Sequence, residues 1–93
     1  EESRGKESFR DITLLSRDLI ERIKLEISDY VDPQTCHNFT ILERNNIYNI
    51  AFHCRLSREL RVEQAHFVIT SIEDLIKKEI NNIGDMSIHV EPF

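Results

Sequence analysis

The chain has 93 residues and a mass of 11.0 kDa, enough for one domain and no more. Its 12 Lys+Arg against 17 Asp+Glu leave a formal net charge of −5, which argues against a surface built to neutralise phosphates and so against nucleic acid as a partner. With 40% hydrophobic and 31% charged residues but only 2 Gly and 2 Pro, the composition is that of a folded, element-rich domain, and no apolar run approaches the ~20 residues that span a bilayer.

Residues 1–7 carry five charges and a glycine without a periodic apolar residue, and read as a disordered lead-in or linker that leaves 8–93 as the domain. The absence of an initial Met suggests an excised piece of a longer protein. Ser8 followed three residues later by Asp11 resembles a capping box. Ile12, Leu15, Leu19, Ile23, Ile27 and Tyr30 then recur at three- and four-residue steps, predicting a helix from about Ser8 to Val31. Asp32-Pro33 ends it, because proline lacks the backbone donor and disfavours the helical region for the residue before it.

Two runs rich in β-branched and aromatic residues follow, His37 to Arg44 and Ile47 to Leu56, joined by Asn45-Asn46. Asparagine tolerates the positive φ of a two-residue hairpin turn, so these runs predict a hairpin. In the second, Tyr48, Ile50, Phe52, Cys54 and Leu56 share one parity and form the core face, which leaves His53 pointing away. A second helix is predicted over about Val62 to Asn82, with Val62, Ala65, Ile69, Ile72, Ile76, Ile80 and Ile83 as its stripe and Ile83-Gly84 closing it. His66 lies in its first turns. The last run, Met86 to Phe93, alternates Met86, Ile88 and Val90 against Ser87, His89 and Glu91. The order is thus helix, strand, strand, helix, strand. A right-handed crossover brings the third strand beside the second and parallel to it, making the second strand central in a three-stranded sheet.

Cys36 and Cys54 form no CxxC pair or disulfide framework, fit a reducing compartment, and read as reduced, partly buried residues. The histidines are more informative. A two-residue turn at Asn45-Asn46 pairs residues whose numbers sum to 91, so Asn38 opposes His53 and His37 sits one position off. His37 shares parity with Phe39 and Ile41, and reaches the non-core face only if it precedes the regular strand. His37, His53, His89 and Glu91 can then gather on one side of the sheet, with His66 a further candidate from the same chain or from a partner subunit. Imidazoles with a carboxylate suit zinc and its first-row neighbours. Single surface histidines are usually ordinary polar residues, and the residues alone leave both readings open.

The segments EQAHFVITSIEDLI (Glu63 to Ile76) and SIHVEP (Ser87 to Pro92), with a histidine on each hairpin strand, resemble the cytoplasmic C-terminal domain of the cation diffusion facilitator family of divalent-metal transporters. The resemblance runs from Cys36 to Phe93. It implies an α+β, αββαβ two-layer sandwich like that of metallochaperones, with the helices on one face of a three-stranded sheet. It further implies a homodimer on the cytoplasmic side of the membrane, beneath a transmembrane domain absent from this chain. By the same resemblance His37, His53, His66, His89 and Glu91 correspond to the family's metal ligands. Zn²⁺ leads as the expected ion, with Mn²⁺, Fe²⁺, Co²⁺, Ni²⁺ and Cd²⁺ behind it. Glu91 stands where the family often has Asp, Asn38 follows His37 where Asp is common, and Glu59 replaces a Ser or Thr helix cap. The implied role is regulatory and non-enzymatic. Two rivals are a metal-independent dimerisation domain of the same family and a small zinc hydrolase with Glu91 as base.

Overall fold

A computed structural model describes residues 8–92; the expected lead-in at 1–7, and Phe93 at the end of the expected last strand, lie outside the described residues. In chain order the elements are strand β1 (Arg10–Asp11), helix α1 (Arg17–Glu26), strands β2 (His37–Arg44) and β3 (Ile47–Leu56), helix α2 (Val62–Glu79) and strand β4 (Ile83–Pro92), with 3₁₀ turns at Thr13–Leu15 and Pro33–Thr35. The sheet order is β1-β2-β3-β4. The first two pairings are antiparallel and β3 with β4 is parallel, so β3 is internal as the crossover argument requires.

Asn45 and Asn46 both adopt positive φ, 54° and 66°, which gives the hairpin the turn whose twist matches its strands. Along β3 the alternation holds: Ile50, Phe52, Cys54 and Leu56 are buried, and with Ile41 of β2 they meet Ile23 and Ile27 from α1 and its end, and Ile72 and Ile76 of α2. Both helices therefore cover one face. Each such side chain contributes about 1.5–3 kcal/mol by leaving water.

The N-terminal quarter departs from the expected long helix. The Asp11 carboxylate accepts hydrogen bonds from the Thr13 N–H at 2.9 Å and the Thr13 hydroxyl at 2.6 Å, a local closure that competes with helical bonding. The Ile12 N–H donates to the Ile41 carbonyl and the Ile41 N–H to Thr13 Oγ1, each at 2.9 Å. The segment thereby adds to the free edge of β2, and the sheet has four strands rather than three. Arg10 fastens this edge through Glu43 Oε1 at 3.0 Å. The helix starts only at Arg17 and stops at Glu26, so the expected stripe is interrupted: Ile23 and Ile27 are fully buried, while Leu15 and Tyr30 are exposed.

Helix α2 also ends early, at Glu79, with Asn82 at φ 69° leading into β4. Gly84 is not its cap. It lies in the strand, where a Cβ would come within 2.6 Å of Asn49 Oδ1 and 2.8 Å of Ile47 Cγ2. The strand carries one extra residue there, since Tyr48 pairs with Ile83 but Ile50 with Met86. At the other end of α2, the Arg61 N–H donates to Gln64 Oε1 at 2.7 Å, so the cap falls at Arg61 rather than Glu59.

Candidate metal centre

The hairpin register is the origin of the site. From Thr40↔Ala51 to Arg44↔Ile47 the paired numbers follow the turn, but beyond a bulge His37, not Asn38, faces His53. Asn38 absorbs the extra residue at φ 54°, a left-handed conformation that asparagine tolerates. The bulge reverses the parity that would have placed His37 with Phe39 and Ile41 on the core face. His37 and His53 instead stand side by side on the open face, their ring centroids 5.3 Å apart.

A short turn orients the first imidazole. Asp32 Oδ1 accepts from the Gln34 N–H at 2.9 Å and starts the Pro33–Thr35 turn, and Thr35 Oγ1 accepts from the Arg55 N–H at 3.3 Å. The Thr35 carbonyl lies 2.7 Å from His37 Nδ1. A carbonyl oxygen only accepts, so Nδ1 carries a proton, and whenever the ring is neutral its lone pair is on Nε2. That nitrogen is 3.2 Å from Glu91 Oε1. Two lone-pair atoms at this distance are favourable only with a cation between them, whether a proton or a metal ion.

The parallel pairing of β3 with β4 supplies the rest. It sets His53 beside His89 and Arg55 beside Glu91. His53 Nδ1 donates to Glu91 Oε2 at 3.0 Å. This hydrogen bond holds the Glu91 carboxyl below the usual carboxylate range; partial desolvation opposes it, and the positive fields of His37, His53 and Arg55 add to it. The Arg55 guanidinium Nε is 3.6 Å from Glu91 Oε1. Donor atoms of His37, His53 and Glu91 all lie within 4.8 Å of one another, a nitrogen and oxygen set that fits a divalent ion of the zinc class.

His89 is exposed with its ring centroid 4.6 Å from that of His53, adjoining this triad without entering it. His66 is exposed on α2 and is outside the cluster found among the described residues. Cys36 and Cys54 are buried free thiols. Burial raises both, Cys54 to about 11, which keeps them protonated and poorly suited to ligation. Sequence reasoning missed Thr35 and Arg55. Arg55 was legible in principle, because it shares the parity of His53 and lies two positions along the same strand.

The family described as cation efflux protein, cytoplasmic domain, matches residues 15–93. The chain belongs to this family. The match extends through α1, further toward the N-terminus than the segments that carry the resemblance in sequence. Among solved structures, this cation efflux domain resembles the zinc form of CzrB at 20% identity over 82% of this chain and 86% of that one, with a TM-score of 0.68. A cadmium form of a MamM C-terminal-domain variant gives 15% identity over 84% and 98%, with a TM-score of 0.74. The metal-bound C-terminal domain of the CzcD transporter from Thermotoga maritima gives 21% over 78% and 86%, with a TM-score of 0.67. At these identities the likeness establishes the fold. No curated protein sequence matches significantly. No helix among the described residues is long and apolar enough to cross a membrane.

Proposed function

We propose that this cation efflux domain is a metal-responsive dimerisation module of a transporter, and that a divalent ion, zinc first among the candidates, binds at His37, His53 and Glu91. The observation that carries this reading is the bulge at Asn38, which turns His37 out of the core and onto the carboxylate of Glu91. His89, which adjoins this set, and His66, which lies outside it on α2, are further ligands in this reading, His66 from the same chain or from a facing subunit. Structures of related fold in zinc, cadmium and metal-bound forms support it.

The chain's own residues prepare the site. Thr35 fixes the His37 tautomer, and His53 holds the Glu91 carboxylate ionised. A bound dication supplies the charge that offsets repulsion between like-charged faces of two subunits, favouring a tighter pair. In the full transporter this domain would lie on the cytoplasmic side, so that the metal level there biases efflux. The role is non-enzymatic. A hollow in the surface, lined by Phe9, Arg44, Ile47 and Asp85 among others, is at the turn end of β3, away from these residues.

Calorimetric titration of chelator-stripped protein with Zn²⁺, with light scattering for molar mass, tests the reading. Saturable binding that is lost in His53→Ala and in Glu91→Gln is the expected result, and imidazole must be neutral to ligate, so affinity falls as pH drops through ~6.5. A dimer whose molar mass and ion content ignore all four histidine substitutions would instead establish a metal-independent dimerisation domain. Ester hydrolysis abolished by Glu91→Gln would favour the hydrolase.

A further inference from the structure

Glu91 has a second suitor. Its Oε1, the oxygen 3.2 Å from His37 Nε2, is also 3.6 Å from the Nε of Arg55. The second contact follows from the fold, because Arg55 and Glu91 are paired residues of adjacent parallel strands. We propose that Arg55 is an internal cation that competes with the metal ion for Glu91 and so raises the free-metal level at which the site loads. This rests on the metal-binding reading given above and concerns the affinity of that site.

Three features support a competitor rather than a fixed strut. At 3.6 Å the guanidinium is in ion-pair range but beyond a good hydrogen bond, so the contact is loose. The Arg55 side chain is 51% exposed, which leaves it free to swing into water while its backbone N–H remains tied to Thr35 Oγ1. An arginine side chain is a permanent cation. A dication bound by His37, His53 and Glu91 must therefore sit beside a permanent positive charge or displace it from the carboxylate, and either course weakens binding. The repulsion depends on ionic charge and not on ligand preference, so it acts about equally on all divalent ions. Arg55 would set how readily the site fills without choosing the metal that fills it.

The test is calorimetric titration of the chelator-stripped chain and of Arg55→Gln, Arg55→Met and Arg55→Lys with Zn²⁺ and with Mn²⁺, at about 0.05 and 0.5 M salt. Thermal melts of the metal-free proteins establish that each variant folds, and Met retains most of the apolar stem should Gln be poorly tolerated. Gln and Met are expected to tighten both ions by a similar factor, about three- to tenfold at low salt. The gain should shrink at high salt, and Lys should stay near the unsubstituted chain. A purely structural role predicts neither the salt dependence nor the rescue by Lys. Unchanged or weaker binding in Gln and Met, with the unsubstituted chain still binding, would overturn the proposal and leave the metal site standing. Binding seen only after Arg55 is neutralised would support it strongly. No uptake by any form would remove both the proposal and the metal-site reading.

Discussion

Asn38 holds a φ of 54° within β2, a conformation that costs a β-branched residue roughly 1–2 kcal/mol more than a glycine. The same torsion decides which face His37 occupies. Asn38→Gly is therefore expected to keep both the fold and zinc binding, whereas Asn38→Val should lower stability by about 1–2 kcal/mol in urea melts and weaken zinc binding well beyond that. Equal zinc affinity in the two variants would sever the bulge from the site. Legibility in the sequence divides along the same line. His53, His89 and Glu91 could be placed on the open face by counting parity in regular strands. The place of His37 could not be read by counting, since a one-residue bulge inverts the count and nothing but an unremarkable asparagine marks it.

At the scale of elements, the hairpin, the second helix and the last strand were readable because their apolar residues keep a constant period. The first helix was overdrawn. Ile12 and Leu15 fit its stripe by spacing, but the Asp11 carboxylate and the Thr13 hydroxyl close a turn of their own and the backbone finds partners on β2. Such side-chain closures leave no periodic trace. The β1 edge they create rests on carboxylates. Hydrogen bonds from Thr13 hold Asp11 below its ordinary range, and the Asn46 N–H followed by Arg10 does the same for Glu43. A carboxyl depressed in the folded chain is protonated first in the unfolded chain, so its contribution is complete above the ordinary carboxylate range of ~4 and fades as pH falls through the lowered folded values. Metal-free protein should therefore lose stability on acidification below that range, and less steeply in Asp11→Asn and Glu43→Gln, as urea melts across the window would record.

Over the whole molecule, the three proposed ligand residues come from the beginning of β2, the latter half of β3 and the end of β4, the last two separated by the full length of α2 in sequence. An ion held by all three binds the folded chain and not the unfolded one, so it must stabilise by mass action. Zinc at a hundredfold excess over its dissociation constant is expected to add about 2.7 kcal/mol to the unfolding free energy. The gain should be reversed by a chelator and absent in His53→Ala; zinc stabilising the variant equally would place the ion elsewhere. The family itself was legible from two short segments and the order of the histidines. The loop-borne Thr35 was not, and parity places Arg55 on the face of His53 without showing its contact to Glu91, because both roles exist only across strands.

The extra residue beside Gly84 has a consequence for how copies of this chain behave in a crowded solution. Strand β4 ends the sheet order, so among the described residues one side of its backbone is left without a neighbouring strand, a template on which a second chain could polymerise. The irregularity at Gly84 and Asp85 breaks the straight run of donors and acceptors near one end, and Pro92, which has no backbone donor, interrupts it at the other. Exchanging Glu91 for an apolar side chain would remove a charge from this edge strand as well as a proposed metal ligand, and is expected to lower solubility.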